Sequence, residues 1–165
     1  MKVNRLLLKQ NEKEVVEEDI DFSKDFFDAN HVRRIPSCHV KLTLTDFGDV
    51  LECLMEIKAD VIASCSYTLE DLPLKVNVKE KLYFTSNEED KDSDEMIYEP
   101  GNEIDMDNYV LGYVIASVPH NAHKKGAKLP SEGKGYRVLT EDELLKERSS
   151  TKKSSPFDCL DDIDL

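Results

Sequence analysis

The chain has 165 residues, and its 22 basic and 35 acidic side chains give a formal net charge of −13 at pH 7. This charge argues against a surface that follows nucleic acid throughout, because phosphate binding depends on Lys and Arg. The length suits one domain with tails. No apolar stretch approaches the ~20 residues of a membrane span, so a cytoplasmic protein is expected. The four cysteines form no Cys-x-x-Cys pair, so reduced thiols are expected.

The first predicted elements lie before residue 50. Ile20 and Phe22 in "EVVEEDIDF" indicate a short strand, and Ser23 is a suitable N-cap for a helical turn. Apolar and polar residues alternate from Cys38 to Thr45, which predicts a strand with one buried face. Gly48 in "TDFGD" can adopt the positive φ that a tight turn after this strand needs.

Two longer alternating runs follow this turn. The odd positions from Leu51 to Cys65 are apolar, as are most even positions from Leu74 to Phe84. The runs should therefore pair as an antiparallel hairpin around "SYTLEDLP". A straight strand covering the first run would measure ~50 Å, so we expect it to bend near Lys58 to Asp60.

Cys65 has two interpretations. It shares the parity of the apolar face with Cys53, which favours a buried structural thiol; a reactive or ligating thiol is the alternative. Because burial in apolar surroundings makes a thiol inert, we predict that both cysteines are buried, reduced and dispensable for function.

After Phe84 the composition changes to an acid-rich stretch with few apolar residues. Residues 85–98 are predicted to form an acidic mobile loop, because they have little apolar surface to bury. Asp105 or Asp107 can then cap a helix of about ten residues that ends before Pro119.

The C-terminal part carries weaker signals. A short strand is expected at Tyr136 to Leu139, and Thr140 with Glu143 forms a capping box for a short helix. In "SPFDCLDDIDL", Ser155 is a suitable N-cap and Pro156 a suitable first residue for a last helix.

These elements predict an α+β fold. Alternating runs joined by short turns pair locally, so we expect a curved antiparallel sheet of about five or six strands, partly barrel-like, with short helices against it. A single domain should cover residues 1–148, and residues 149–165 should form a polar linker and a short C-terminal helix.

The chemistry-bearing residues give little indication of an enzyme. His120 and His123 form an H-x-x-H in a loop, without the helical spacing or nearby ligands of a zinc site, so two exposed imidazoles are expected. Cys38 and His39 are adjacent on a strand and point to opposite faces, so they cannot form a dyad. "EGKGYR" lacks the Lys-Ser/Thr ending of a P-loop. No catalytic residue, cofactor or metal ligand is predicted.

Four stretches occur in a recognisable order: "CHVKLTLTDFGDVLECLMEIKADVIASCSYTLEDLPLKVNVKEKLYF", "GNEIDMDNYVLGYVIASVP", "EGKGYRVLTEDE" and "SPFDCLDDIDL". Together they resemble the YceD family of large ribosomal RNA subunit accumulation proteins, in the Firmicutes-like form that lacks paired cysteines. Tyr136 stands where that family often has Trp, and "HNAHKKG" stands where many relatives carry the paired cysteines. The resemblance implies a non-enzymatic role in the synthesis, processing or stability of large-subunit (23S) rRNA, which is bacterial ribosome biogenesis, and it supplies no catalytic residues.

The uneven charge suggests the partners. The stretch from His120 to Lys153 has nine basic and five acidic residues, whereas 11–28 and 86–107 are acidic. We therefore expect precursor large-subunit rRNA, a basic ribosomal protein, or both, and neither a membrane nor a small-molecule substrate. The RNA-binding candidates are the basic residues of one loop and its tyrosine: Lys124, Lys125, Lys128, Lys134, Tyr136 and Arg137. Two alternatives to a role in ribosome biogenesis stay open. One is an adaptor unrelated to ribosomes that docks through the sheet edge or the C-terminal helix, and the other is an enzyme with a diffuse site.

Overall fold

The structure is a computed structural model and describes residues 1–22, 31–129, 133 and 135–150. Within these ranges the strands are β1 (Lys2–Asn4), β2 (Lys13–Asp19), β3 (Val32–Asp46), β4 (Val50–Ser64), β5 (Asp71–Thr85), β6 (Ile97–Tyr98) and β7 (Glu103–Asp105). The α-helices are α1 (Met106–Ala116) and α2 (Glu141–Ser150). Neither helix is long and apolar enough to cross a membrane, as judged over the described residues.

The strands form two sheets, and the predicted α+β class is confirmed. One sheet has five strands in the order β2-β3-β4-β5-β6, and β1 pairs with β7 in the other. Strands β2 to β5 are antiparallel, but β6 runs parallel to β5. The large sheet is therefore mixed, because the chain runs back along the sheet after β5 before it adds β6. Its two end strands, β2 and β6, are not paired with each other, so the sheet is open and the barrel-like closure is not formed.

Strands β4 and β5 follow the predicted alternation, and so does β3 from Cys38; β3 begins earlier than predicted, at Val32, and buries only every third residue up to Cys38. Every odd residue from Leu51 to Cys65 is buried, and the even residues of β5 from Val76 onward are buried except Glu80. Gly48 has a φ of +94° in the turn between β3 and β4, as its position predicted. The pairing of β4 with β5 is unbroken over Val50–Ser64, and the register irregularities lie in β3 between Val32 and Ser37.

Strand β2 differs from its prediction. The strand covers Lys13–Asp19, whereas Ile20 and Phe22 come after it. All seven of its residues pair with β3, yet six of them are exposed and the seventh is half-buried. Without a buried face there is no alternation to mark the strand in the sequence. The helical turn predicted at Ser23 lies outside the described residues.

Helix α1 covers the apolar face of the large sheet. Asp105 is its N-cap and accepts a hydrogen bond from the N–H of Asp107 at 3.2 Å, which confirms the predicted start. Met106, Val110 and Val114 are fully buried in the same core cluster as β3, β4 and β5. Burial of this kind gives roughly 1.5–3 kcal/mol for each large apolar side chain, so packing holds the helix in place.

The chain divides into two compact units, Met1–Lys125 and Gly126–Leu165. Both sheets and α1 belong to the first unit. In the second, Thr140 and Glu143 form the predicted capping box: each backbone N–H is bound by the other side chain, at 2.8 and 3.2 Å. The predicted domain boundary at residue 148 stays a prediction.

Two further predictions concern this second unit. The strand predicted at Tyr136 to Leu139 is wrong: only an isolated bridge between Gly133 and Tyr136 is formed, because no neighbouring strand is available to the described residues of this unit. The last helix, with Ser155 and Pro156, lies outside the described residues.

The acidic segment after β5 contains one short ordered turn. Residues Glu88–Asp90 form a 3-10 turn, with Asn87 as its N-cap. The hydroxyl of Thr85 donates a hydrogen bond to the carboxylate of Asp90 at 3.3 Å. Apart from that contact the turn is held by local hydrogen bonds, and the mobility of residues 85–98 in solution stays a prediction.

Candidate functional site

The most distinctive polar arrangement of the first unit lies at one end of the sheet, where the β4–β5 turn meets the loop after α1. The backbone N–H and the hydroxyl of Ser66 both donate to the carbonyl oxygen of Ala122, at 2.9 and 3.0 Å. Two hydrogen bonds to one carbonyl fix the loop against the turn. Residues from Cys65 to Glu70 and from Ala122 to Lys124 thus form a single structure, which we call the Cys65 turn site.

Two side-chain contacts reinforce this site. The rings of Tyr67 and His123 are stacked, with centroids 4.4 Å apart and planes 11° from parallel. The Nζ atom of Lys124 lies 2.8 Å from Oε2 of Glu70, and this lysine lowers the pKa of the Glu70 carboxyl below its ordinary value. His123 and Lys124, expected as exposed basic residues of a loop, therefore have structural partners.

Cys65 occupies the centre of the site and differs from the other buried cysteines. Its side chain is fully buried but lies outside the apolar core cluster that contains Cys38 and Cys53. The Thr68 hydroxyl is the strongest donor to its sulfur. Desolvation acts in the opposite direction, but the backbone N–H groups of Lys124, Thr68 and Tyr67 also donate. Together these donors lower the pKa of the Cys65 thiol from 9.0 to about 6.

The contrast with the core cysteines shows which environment matters. Desolvation raises the pKa of Cys53 to about 12 and, as the main cause, that of Cys38 to about 11. The predicted burial of Cys53 and Cys65 is confirmed, and both are free thiols. The reason given for inertness holds for Cys53, but it does not apply to Cys65, because hydrogen-bond donors lower the pKa of that thiol despite its desolvation. Whether the protein needs either cysteine for its function is not tested by the structure, so their dispensability stays a prediction.

The geometry limits what the Cys65 sulfur can do. With 0% of the side chain exposed, a substrate cannot reach the sulfur without movement of the turn. A thiolate in this position serves as a hydrogen-bond acceptor that joins the β4–β5 turn to the loop after α1. No group of three or more His, Cys, Asp or Glu side chains suited to a metal occurs among the residues that the structure describes.

The RNA-binding candidates fall into two groups, one in each unit. In the first unit Lys124 is paired with Glu70, whereas Lys125 is exposed. In the second unit Lys128 is exposed, and Tyr136 has 60% of its surface exposed. Arg137 forms an ion pair of 2.7 Å with Glu147. Lys134 lies outside the described residues.

The outer face of the large sheet carries rows of opposite charges that sequence patterns did not reveal. Ion pairs join Glu17 of β2 to Lys41 of β3 at 2.7 Å, and Glu56 of β4 to Lys79 of β5 at 2.6 Å. A hydrogen bond from each lysine lowers the pKa of its carboxyl partner. The polar side chains recur at every second residue in the sequence, but only the register shows which of them meet.

A shallow cavity of about 330 Å³ opens on the same face. Its polar lining residues include Ser37, Lys58, Asp60 and Lys75. Ser37 already donates to the Asp60 carboxylate at 2.9 Å, and the two lysines lie beside it without forming an enclosed site. The cavity gives no basis for a catalytic assignment.

Comparison with known proteins gives no further identification. No family model matches the chain, and neither a curated protein nor a solved structure matches it. The similarity to the YceD family therefore stays a prediction from the sequence.

Proposed function

We propose that this protein is a non-enzymatic factor of the bacterial cytoplasm that supports the synthesis, processing or stability of large-subunit rRNA. The observation that carries the proposal is the exposed negative charge of a sheet domain, concentrated on strand β2 and on the segment from Glu88 to Glu95. Such surfaces attract basic polypeptides, and the proteins of a nascent ribosomal subunit are basic. The order of the four sequence stretches supports the same role.

Contact with a basic ribosomal protein is better supported than direct contact with rRNA. Two of the RNA-binding candidates, Lys124 and Arg137, already have carboxylate partners at 2.8 and 2.7 Å. Among the described basic candidates only Lys125 and Lys128 remain, which are exposed and make no ion pair within the described part of the chain. Two exposed lysines contribute a small counterion release beside the net charge of −13.

Sedimentation tests the proposal. An epitope-tagged chain expressed at its natural level should sediment with precursors of the large subunit in a sucrose gradient, at low salt, and leave them as salt rises. Distribution only at the top of the gradient, in cells that are actively making ribosomes, would contradict the proposal.

Charge reversal then separates the two kinds of contact. The pair Lys125→Glu and Lys128→Glu should leave sedimentation unchanged if a basic protein is the partner, and abolish it if these residues hold rRNA. Reversal of two exposed lysines elsewhere, Lys58→Glu and Lys75→Glu, is the matched control.

An adaptor unrelated to ribosomes is the second candidate. The open edge of β2 is compatible with an adaptor and with a ribosome-biogenesis factor alike, because a sheet edge binds an extended segment of any suitable protein. Sedimentation with ribosomal precursors separates the two candidates.

A further inference from the structure

Strand β2 is one of two long open edges of the large sheet among the described residues. The other is the part of β5 before Phe84, which β6 does not reach; it contains Pro73 and three lysines, features that oppose strand addition. Strand β2 has seven residues, whereas the opposite edge strand β6 has two, and β1 and β7 have three each. One side of β2 pairs with β3 over all seven residues, without a register shift. On the other side, no strand from the described part of the chain is paired with it.

The pairing shows which backbone groups face away from the sheet. The N–H of Ile20 donates to the carbonyl of Cys38 at 2.9 Å, which makes this a hydrogen-bonded pair at the end of β2. In an antiparallel ladder such residues alternate with residues whose N–H and C=O point outward. The outward backbone groups of β2 therefore belong to Lys13, Val15, Glu17 and Asp19.

This edge lacks two of the features that normally prevent strands from pairing, although Glu14 and Glu18 place charges on the face of the buried Leu44 and Val40. Exposed edges are usually shortened, bulged or interrupted by proline, or they carry inward-pointing charges. Strand β2 contains neither a proline nor a bulge, and it exposes 55% of Val15 and 36% of Val16. Exposed β-branched residues on an open edge favour the addition of another strand.

The charge of the edge selects the kind of strand that fits. Strand β2 carries four carboxylates and a single lysine, and Glu12 precedes it. Two of the four, Glu17 and Asp19, already contact Lys41 and His39 of β3, so the charge available to an added strand comes mainly from the other two. An added strand places its side chains opposite those of β2 at about 4.5–5.5 Å between Cβ atoms, where opposite charges attract and like charges repel. A lysine- or arginine-rich strand satisfies these positions.

We propose that β2 binds an extended, basic segment of another protein, which adds a strand to the sheet beyond β2. The bound segment runs along the outward N–H and C=O groups of Lys13, Val15, Glu17 and Asp19. This inference deepens the proposed function, on which it rests for the partner's origin, by naming the surface that holds a basic protein.

A second copy of this chain is a less suitable occupant. Each copy has a net charge of −13, and β2 of a second copy would bring its own four carboxylates to the edge. Long-range repulsion between two strongly acidic molecules opposes their approach, whereas the same field draws a basic segment toward the edge.

Hydrogen exchange with a defined probe tests the proposal. The probe is a blocked synthetic heptapeptide of alternating lysine and valine, added to the purified full chain at low salt. We expect slower exchange at the amides of Lys13, Val15, Glu17 and Asp19, and little change at Glu14, Val16 and Glu18, which are already bonded to β3. A control peptide with the same charges, N-methylated at alternate residues, should bind much more weakly because it cannot form the ladder.

Two pairs of variants separate backbone pairing from charge. Val15→Pro removes an outward N–H without disturbing the bonds to β3 and should abolish the alternating protection, whereas Val15→Ala keeps that N–H and should retain it. Glu18→Lys should weaken binding roughly fivefold. Glu89→Lys makes the same charge change in the acidic segment and should have a smaller effect.

Three outcomes would overturn the proposal. They are equal binding of the N-methylated peptide, protection centred on the segment from Glu88 to Glu95, and protection that rises with protein concentration in the absence of peptide. The last outcome would show self-association through β2. These measurements use only the purified chain and a peptide, so their failure is distinguishable from a failure of the ribosomal role, which sedimentation tests separately.

Discussion

The low pKa of the Cys65 thiol makes the stability of this protein depend on pH in a defined window. Replacement by serine keeps a hydrogen-bonding side chain of similar size but removes the ionisation. Because the donors at the site come from Thr68, Tyr67 and Lys124, the thiolate holds the β4–β5 turn to the loop after α1. Cys65→Ser therefore removes a charged acceptor while it leaves the rest of the site in place.

The expected magnitude follows from the two pKa values. The thiol ionises at about 6 in the folded chain and at an ordinary value of 9.0 when unfolded. Between these values the native state holds a thiolate and the unfolded state a thiol, so unfolding takes up about one proton. The depressed pKa contributes stability that is fully present above pH 9 and is lost as pH falls through 6.

Urea unfolding from pH 5.5 to 9.5 measures this linkage. The difference in unfolding free energy between the parent and Cys65→Ser should grow steadily from pH 6 to 9 and then level off. Cys53→Ala is the matched control: its cost of roughly 1–2 kcal/mol should be constant from pH 5.5 to about 8, because the Cys53 thiol is protonated there both in the folded chain, where its pKa is about 12, and in the unfolded chain. Above about pH 8 the cost should shrink, because ionisation of the unfolded thiol then destabilises the parent. A difference for Cys65→Ser that stays flat with pH would refute the reasoning.

Three further predictions concern the fold. Asp105→Ala, at the N-cap of α1, should lower the unfolding free energy by about 1 kcal/mol in urea titrations, and an unchanged midpoint would argue against the cap. Gly48→Ala should destabilise the folded protein by about 1 kcal/mol, because φ is +94° at that turn. Gly112→Ala should stabilise it by a similar amount, because the site lies on α1 with open space around it. The opposite order of the two thermal midpoints would contradict both assignments. The amides of residues 86–95 should exchange within seconds in the free protein, and slow exchange there would show that the acidic segment is ordered.

The parts of the fold that the sequence predicts are those with one buried face. In β4, β5 and the part of β3 from Cys38 onward, the core lies on one side and solvent on the other, so period-2 alternation marks these strands. Helix α1 adds a cap at Asp105 and apolar residues at helical spacing. Strand β2 has no buried face, so its sequence carries no periodic signal, and its position follows only from the pairing with β3.

The candidate sites depend on contacts between residues that are distant in sequence. The sulfur of Cys65 is surrounded by donors from its own turn and from Lys124, which lies beyond β5 and α1. Parity alone predicts that Cys65 is buried, but it does not show whether apolar groups or donors fill the surrounding space. Likewise the open edge of β2 is visible only once the strand order is known, because the sequence does not show which strand ends the sheet.

The ratio of mature large-subunit to small-subunit rRNA tests the central claim most directly. Deletion of the gene should lower this ratio and cause precursors of the large subunit to accumulate, and the parent chain should restore it. A variant with Val15→Pro should restore it less well than one with Val15→Ala. An unchanged ratio in the deletion strain, at a growth rate that demands rapid ribosome synthesis, would contradict the proposed function.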